Sequence, residues 1–342
     1  MTVTELKAKI KSSDIGGSFI FCGEEDYLKK HYLSEFVNLC CPDEVFSLFN
    51  KVIFDGAEVN IADIAEAIKS PPMMGDGKLI VWKYPDLEHT SESEKRAIEE
   101  LAASMSDYPY ATLLLLTDAD GLIPGTQKKP SKLAARLSKS FNLINFEKST
   151  DTQLIGWLKR HFESEGISAD AQTLSALIFH SGHSMEVLNN EVEKLAAYAK
   201  ANSLTAITGE EIALVASATI ECDAFALSTA ITDKNREKAF LALADMAARR
   251  IDASAVLATL SKAFAELITV ALLLEEGKDA KDIEGLLGWN QYKVKICINS
   301  AKKWGPAKLS QASARLRELD AESKSGGASG YKMLEIFVCQ FI

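Results

Sequence analysis

The sequence has no surplus of basic residues. Its 38 Lys and Arg are outnumbered by 48 Asp and Glu, for a formal net charge of −10. A chain that grips nucleic acid unaided needs a positive surface to neutralise phosphates, so independent, non-specific binding is excluded as its main activity. Only a local basic patch or a basic partner would bring it to DNA. Cys-x-x-Cys spacing is missing too. Cys40 and Cys41 are adjacent, and Cys22, Cys222, Cys297 and Cys339 are scattered. That pattern supplies no structural zinc site. Buried, reduced thiols are expected instead, as suits a reducing cytoplasm. No apolar run is expected to span a bilayer. The stretch from Thr4 to Asp14 is polar and charged, unlike a secretory leader. Neither a Gly-x-Ser-x-Gly elbow nor a His-Glu-x-x-His helix occurs.

What is present reads as a soluble α/β protein with an all-α remainder. A chain of 342 residues exceeds one core of common size, so two or three domains are expected. In the first part, strand and helix signals alternate. Short continuous apolar runs at 18–22, 52–54, 79–82, 113–116 and 143–146 read as buried strands. Helical stretches are expected at 25–39, 61–68, 91–104 and 131–139. Ile61, Ile64, Ala65 and Ile68, for example, follow the i, i+3, i+4, i+7 rule. Apolar strands separated by helices imply a parallel sheet covered on both faces.

After Lys148 the strand signal stops. Leu154, Trp157, Leu158 and Phe162 share a helical face, as do Leu188, Val192, Leu195 and Ala199. Thr208-Gly209-Glu210-Glu211 has the form of a capping box. A small helical domain ending near Ser217 is expected. Further on, Leu257, Leu260, Phe264, Leu267, Ala271 and Leu274 recur at three- and four-residue steps. Such a seam requires a helical partner, internal or external. A Gly/Ser-rich link from Ser323 to Gly330 precedes a final apolar helix that is expected to dock.

The first strand–turn–helix invites a search for a phosphate cradle. A working loop needs glycines, a Lys for charge and a Ser or Thr for magnesium. This turn reads Gly23-Glu24-Glu25-Asp26-Tyr27-Leu28. It offers one glycine and three carboxylates that would repel polyphosphate. Lys29 and Lys30 follow along the helix with no Ser or Thr beside them. A solvated acidic helix start, favoured by the helix dipole, is the expectation. The third strand ends on Lys83 and Tyr84, not on a magnesium-holding acid, and Asp86, Asp118 and Asp120 read as loop residues. His180 and His183 lack a third ligand nearby. The clusters Lys128-Lys129-Lys132 and Lys302-Lys303 read as solvated faces. One segment stands apart: Ser70-Pro71-Pro72-Met73-Met74-Gly75-Asp76-Gly77-Lys78. Its prolines end the preceding helix. Two adjacent Met are hard to bury in one core, and Met suits an apolar anchor for a partner because it is flexible and polarizable.

Taken in order, several segments resemble one family. They are Phe21 to Leu28, Phe54-Asp55-Gly56, Pro72 to Val81, Asn190 to Ala196 with Tyr198, Ala226 to Ile231, and Leu319 to Gly326. Together they are similar to the delta subunits of the bacterial DNA polymerase III clamp loader, across essentially the whole chain. The resemblance implies an AAA+-like sheet domain at 1–148 with a degenerate phosphate loop at Gly23, Glu24, Glu25 and Asp26. It implies a helical lid at 149–217 and a helical collar at 218–342. Leu257, Leu260, Phe264 and Leu267 are expected to serve collar oligomerisation. Met73 and Met74 fall where the family presents an apolar pair, more often aromatic or Leu, to the beta sliding clamp. The remaining expectations are no catalytic residues, no metal, no cofactor and no intrinsic activity, in a component of a nucleotidyltransferase holoenzyme. The implied partners are gamma/tau and delta prime subunits and primed DNA, in the cytoplasm and away from any membrane. The four-cysteine zinc cluster and Ser-Arg-Cys motif of the other loader subunits do not occur. The other readings are a divergent ATPase that binds ATP itself and a helical scaffold unrelated to replication.

Overall fold

A computed structural model describes residues 1–42, 44–73, 75–126, 129–325 and 330–342, with Glu44 and Phe46 described by backbone only. The chain divides into two compact units, Met1–Ser149 and Thr150–Ile342.

The first unit is a five-stranded parallel sheet between helices. Its strands are β1 (Gly17–Cys22), β2 (Lys51–Asp55), β3 (Lys78–Lys83), β4 (Ala111–Leu116) and, past a small hairpin of β5 (Gly125–Thr126) and β6 (Lys129–Pro130), β7 (Asn142–Asn145). The order across the sheet is β2-β3-β4-β1-β7. Because side chains alternate along a strand, each strand serves two cores. Phe19, Phe21, Leu79, Val81, Leu114 and Leu116 pack with Leu6 of α1 (Val3–Lys11) and with Tyr32 and Phe36 of α2 (Asp26–Cys40). Ile20, Cys22, Ile80, Trp82, Leu113 and Leu115 pack on the other face. There they meet α4 (Ile61–Lys69), α5 (Glu92–Ala103) and α6 (Lys132–Leu137). This is the α/β sheet domain expected, with two helices that the apolar pattern did not announce, α1 and α3 (Glu44–Asn50).

The second unit is helical throughout. α7 (Asp151–Ser164), α8 (Ala171–Ser181) and α9 (Met185–Ala201) pack on one another. They bury Leu154, Leu158, Phe162, Leu188 and Leu195. After α10 (Gly209–Val215) come α11 (Ile220–Thr232), α12 (Arg236–Ala248), α13 (Ala253–Glu275), α14 (Ala280–Leu287), α15 (Gln291–Lys324) and α16 (Tyr331–Phe341). The stretches expected to be lid and collar therefore fall in one unit, with α8 touching α11 and α15.

α13 corrects two expectations. By length and composition it is apolar enough to cross a bilayer, contrary to the reading of the bare sequence. Its apolar residues are used inside the protein instead. Leu257, Leu260, Phe264 and Leu267 are at most 1% exposed. They belong to a core shared with α11, α12, α15 and α16. The seam's helical partner is thus internal. α15, broken at Gly305–Pro306 where proline has no N–H to donate, lies along α13. These four side chains cannot themselves meet another subunit. Phe264 packs edge-on to Phe337 at 5.6 Å between ring centres. The final helix docks into this core through Met333, Leu334, Phe337 and Val338, as expected.

Candidate functional site

Parallel register fixes which loops share an edge of the sheet. Lys51 of β2 lies beside Leu79 of β3. Asn50, which ends α3, is therefore brought beside the loop that leads from α4 into β3. Pro71 and Pro72 cannot continue α4, so the chain leaves the helix there. The last carbonyls of a helix need donors from elsewhere, and here they have them. Tyr110 donates its hydroxyl to the carbonyls of Ile68 (3.2 Å) and Lys69 (2.9 Å). Lys78 donates its ammonium to the carbonyl of Ser70 at 2.9 Å. A cation at a helix C-terminus also matches the helix dipole. Lys78 is buried, and this burial holds its pKa below the ordinary lysine value. Both ends of the loop are tied to the sheet by these bonds.

The middle is tied by Asn50. Its Nδ2 donates to the Met73 carbonyl at 2.9 Å, and its Oδ1 accepts from the Met73 N–H at 2.7 Å. Asn50 is 3% exposed, while Met73 is 53% exposed. The backbone of Met73 is held inward and its side chain stands in solvent. Gly77 closes the loop against the end of α2, where an added Cβ would lie 2.9 Å from the Cys40 carbonyl. Met74 lies outside the described residues.

The turn after β1 is at the opposite, carboxyl edge, and it is closed. Gly23 has φ +97°, and an added Cβ would sit 2.4 Å from the Phe146 carbonyl oxygen. No other residue fits that approach. Lys29 folds back under the turn. Its Nζ donates to the carbonyls of Gly23 and Thr117, each at 2.8 Å, and pairs with Asp26 at 2.8 Å. Lys29 is 4% exposed, so the nearest cation is engaged by the fold. The three carboxylates are not all solvated, contrary to the expected acidic helix start. Glu25 is turned inward at 8% exposure, and burial, reinforced by the Asp26 charge, raises its pKa. Glu24 pairs with Lys148 at 3.0 Å in solvent.

The other sequence candidates are dispersed. The His89 backbone N–H, at 3.1 Å, and then the His89 ring, at 2.9 Å, hold the Asp86 carboxyl below the usual range. Asp118 and Asp120 are exposed. His183 meets Asp151 at 2.9 Å. His180 lies between the Ala216 carbonyl and the Cys222 sulfur. Among the described residues no three His, Cys, Asp or Glu are grouped to hold a metal. Lys129, Lys132, Lys302 and Lys303 are exposed, Lys303 pairing with Asp233. Lys128 lies outside the described residues. Of the cysteines, all free, Cys22, Cys41 and Cys297 are buried, but Cys339 is exposed, against expectation. Asn50 and Tyr110 were not singled out from sequence, and Lys78 was noted only as the end of the segment from Ser70. Their roles arise from strand register, although a Lys opening an apolar strand was a visible irregularity.

Comparison with known proteins covers both units. A family model described as DNA polymerase III, delta subunit, matches residues 19–147, and one for the delta subunit's C-terminal domain matches 221–341. The chain belongs to the DNA polymerase III delta subunit family. It is 22% identical to DNA polymerase III subunit delta of Bacillus subtilis, over 99% of this chain and 97% of that one. It is 24% identical to the probable DNA polymerase III subunit delta of Aquifex aeolicus, over 90% and 85%. The fold matches that of the Bacillus subtilis DNA clamp loader delta protein with a TM-score of 0.60 at 20% identity, across 99% of both chains. As a delta subunit it belongs to the replicative clamp loader. The first matched segment contains both loops described above.

Proposed function

We propose that this delta subunit binds the beta sliding clamp through the loop at 71–77 and opens the ring, or holds it open, for loading on primed DNA. The observation that carries this reading is Met73, a large apolar side chain left half-exposed on a backbone fixed by a buried Asn50. A fixed anchor loses little conformational freedom on binding, which favours affinity. Full burial of one Met in an apolar pocket is worth roughly 1.5–3 kcal/mol. Met74, adjacent in sequence, completes the anchor. Ring opening follows only if this surface binds the open clamp more tightly than the closed one.

ATP is used by partner subunits of the loader and controls exposure of the anchor; the chain has no activity of its own. The engaged Lys29 supports this division, because an ATPase reading would require it to leave the Gly23 and Thr117 carbonyls. Beside a lid at 149–217, the collar at 218–342 packs against the gamma/tau and delta prime subunits in the cytoplasm. The surface of the collar would do so, with Leu257, Leu260, Phe264 and Leu267 shaping it from within.

The test is clamp affinity of Met73→Ala with Met74→Ala. Loss of one hot spot of about 2 kcal/mol predicts roughly 30-fold weaker binding. Binding within about threefold of wild type, under 1 kcal/mol, would remove the anchor assignment. Saturable ATP binding by the isolated chain would favour the ATPase reading, and absence of any clamp affinity the scaffold reading.

A further inference from the structure

Seven large apolar side chains of the first unit are exposed among its described residues: Val45, Leu48, Phe49, Ile53, Met73, Tyr84 and Ile123. Five of them, Val45, Leu48, Phe49, Ile53 and Met73, lie on α3, on β2 that follows it, and in the loop that Asn50 bonds. Leu48 is 79% exposed and Phe49 56%. With Val45 they stand at i, i+3 and i+4 on α3, which places them on one helical face. Ile53 follows on β2, the edge strand. A seven-residue helix has little stability of its own and depends on what it packs against. A concentrated apolar patch on such an element marks an interaction surface.

We propose that this face of α3, led by Leu48 and Phe49, is the second half of the clamp-binding surface, seated on the same partner as Met73. The inference rests on the clamp-binding reading above and extends it. Two observations commit the face to that occupant. The first is covalent and hydrogen-bonded continuity. Asn50 adjoins Phe49 in the chain and holds the Met73 backbone at 2.7 and 2.9 Å. With about 3.8 Å between consecutive Cα atoms, the two anchors are on the order of 10 Å apart. The second is area. A specific interface covers about 800 Å² on each partner, a patch roughly 30 Å across. Two Met side chains fall well short of that, so a partner seated on Met73 must cover neighbouring surface. The apolar part of that surface is α3. The clamp is accordingly expected to carry an apolar shelf beside the pocket for the Met pair. Asn50 is then the positioning residue between the halves.

The experiment measures clamp binding by the full chain carrying Leu48→Ser with Phe49→Ser, beside wild type and Met73→Ala with Met74→Ala. Both α3 positions are solvent-facing, so the variant is expected to keep wild-type thermal stability. A tenfold or greater loss of affinity supports the inference. If the α3 variant binds within twofold of wild type while the Met variant is weakened, the inference is overturned and the clamp-binding loop stands. If wild type does not bind clamp, the reading beneath it fails first. Sedimentation supplies an independent arm. Wild type that self-associates without clamp, with the α3 variant monomeric, assigns the face to a second copy and also overturns the proposal. Should serine at both sites unfold the chain, Leu48→Lys alone, at the most exposed position, is read on the same criteria.

Discussion

Two loops on opposite edges of one sheet treat their polar atoms differently. At the carboxyl edge, the Gly23 turn folds its cation inward, and Lys29 is consumed by two carbonyls and Asp26. At the amino edge, Tyr110 and Lys78 satisfy the carbonyls that end α4, and Asn50 holds the Met73 backbone from inside. There the side chain of Met73 is left outside. What differs is the direction in which the remaining chemical capacity points. The first has its buried lysine turned inward; the second leaves an apolar side chain exposed. The strand–turn–helix position after β1 is thus a closed structural joint, while the loop before β3 leaves an apolar side chain exposed at the other end of the strands.

Breaking the closed turn should have the largest effect. Gly23→Ala combines positive φ with a Cβ 2.4 Å from a backbone oxygen that cannot move aside cheaply. The expected cost is about 3 kcal/mol or more, seen as a lower denaturant midpoint. Gly75→Ala on the open loop has no such strain; its nearest neighbour is the Asn50 side chain at 3.2 Å. It should cost under about 1 kcal/mol. Equal effects would mean that the two loops are equally constrained.

Lys29→Met comes next. It leaves the Gly23 and Thr117 carbonyls without their donor, at about 1–3 kcal/mol for a buried unsatisfied group, partly offset by removing a buried charge. A net loss near 2 kcal/mol is expected, with no ATP binding gained in equilibrium dialysis. If stability is unchanged, Lys29 is not the joint described here.

Asn50→Ala should act more mildly on stability, by about 1–2 kcal/mol, because water can reach part of the Met73 backbone once the amide is gone. It should also weaken clamp binding by freeing the anchor. Met73→Ala, at an exposed site, should leave stability within about 0.5 kcal/mol and weaken binding alone. Thermal melts and clamp titrations of the two variants separate positioning from contact. Identical profiles would deny Asn50 its role.

Much of the sheet was legible because local patterns encode it. Continuous apolar runs such as 79–82 and 113–116 grew by only one or two residues at their ends. α3 was not legible, since its apolar face at Val45, Leu48 and Phe49 points outward and period alone does not say which side is the core. The same ambiguity left the α13 seam with a partner either internal or external, and the fold uses it inside. Asn50 and Lys29 were illegible for another reason. Their bonds span 23 and 88 residues, and only strand register brings such partners together. Met73 was readable because prolines and paired Met residues break the helical pattern locally.

The smallest expected effect compares thiols at the two edges. Cys22 ends β1 beside the closed turn, and burial pushes its pKa up to about 12. Cys40 ends α2 under Gly77, and burial pushes it up to about 11. Thiolate is the reactive form. At pH 8, with a maleimide reagent, the exposed Cys339 should react first, Cys40 slowly, and Cys22 only as fast as the chain unfolds. The pH dependence of stability has a fixed sign. Above the ordinary thiol value of 9.0 the unfolded chain releases protons that native Cys22 retains, so stability is full below that pH and falls as pH rises toward about 12. Cys22→Ser should flatten this decline more than Cys40→Ser, because its window extends further. Faster labelling of Cys22 than of Cys40 in native buffer would place the looser edge at the Gly23 turn and reverse the comparison.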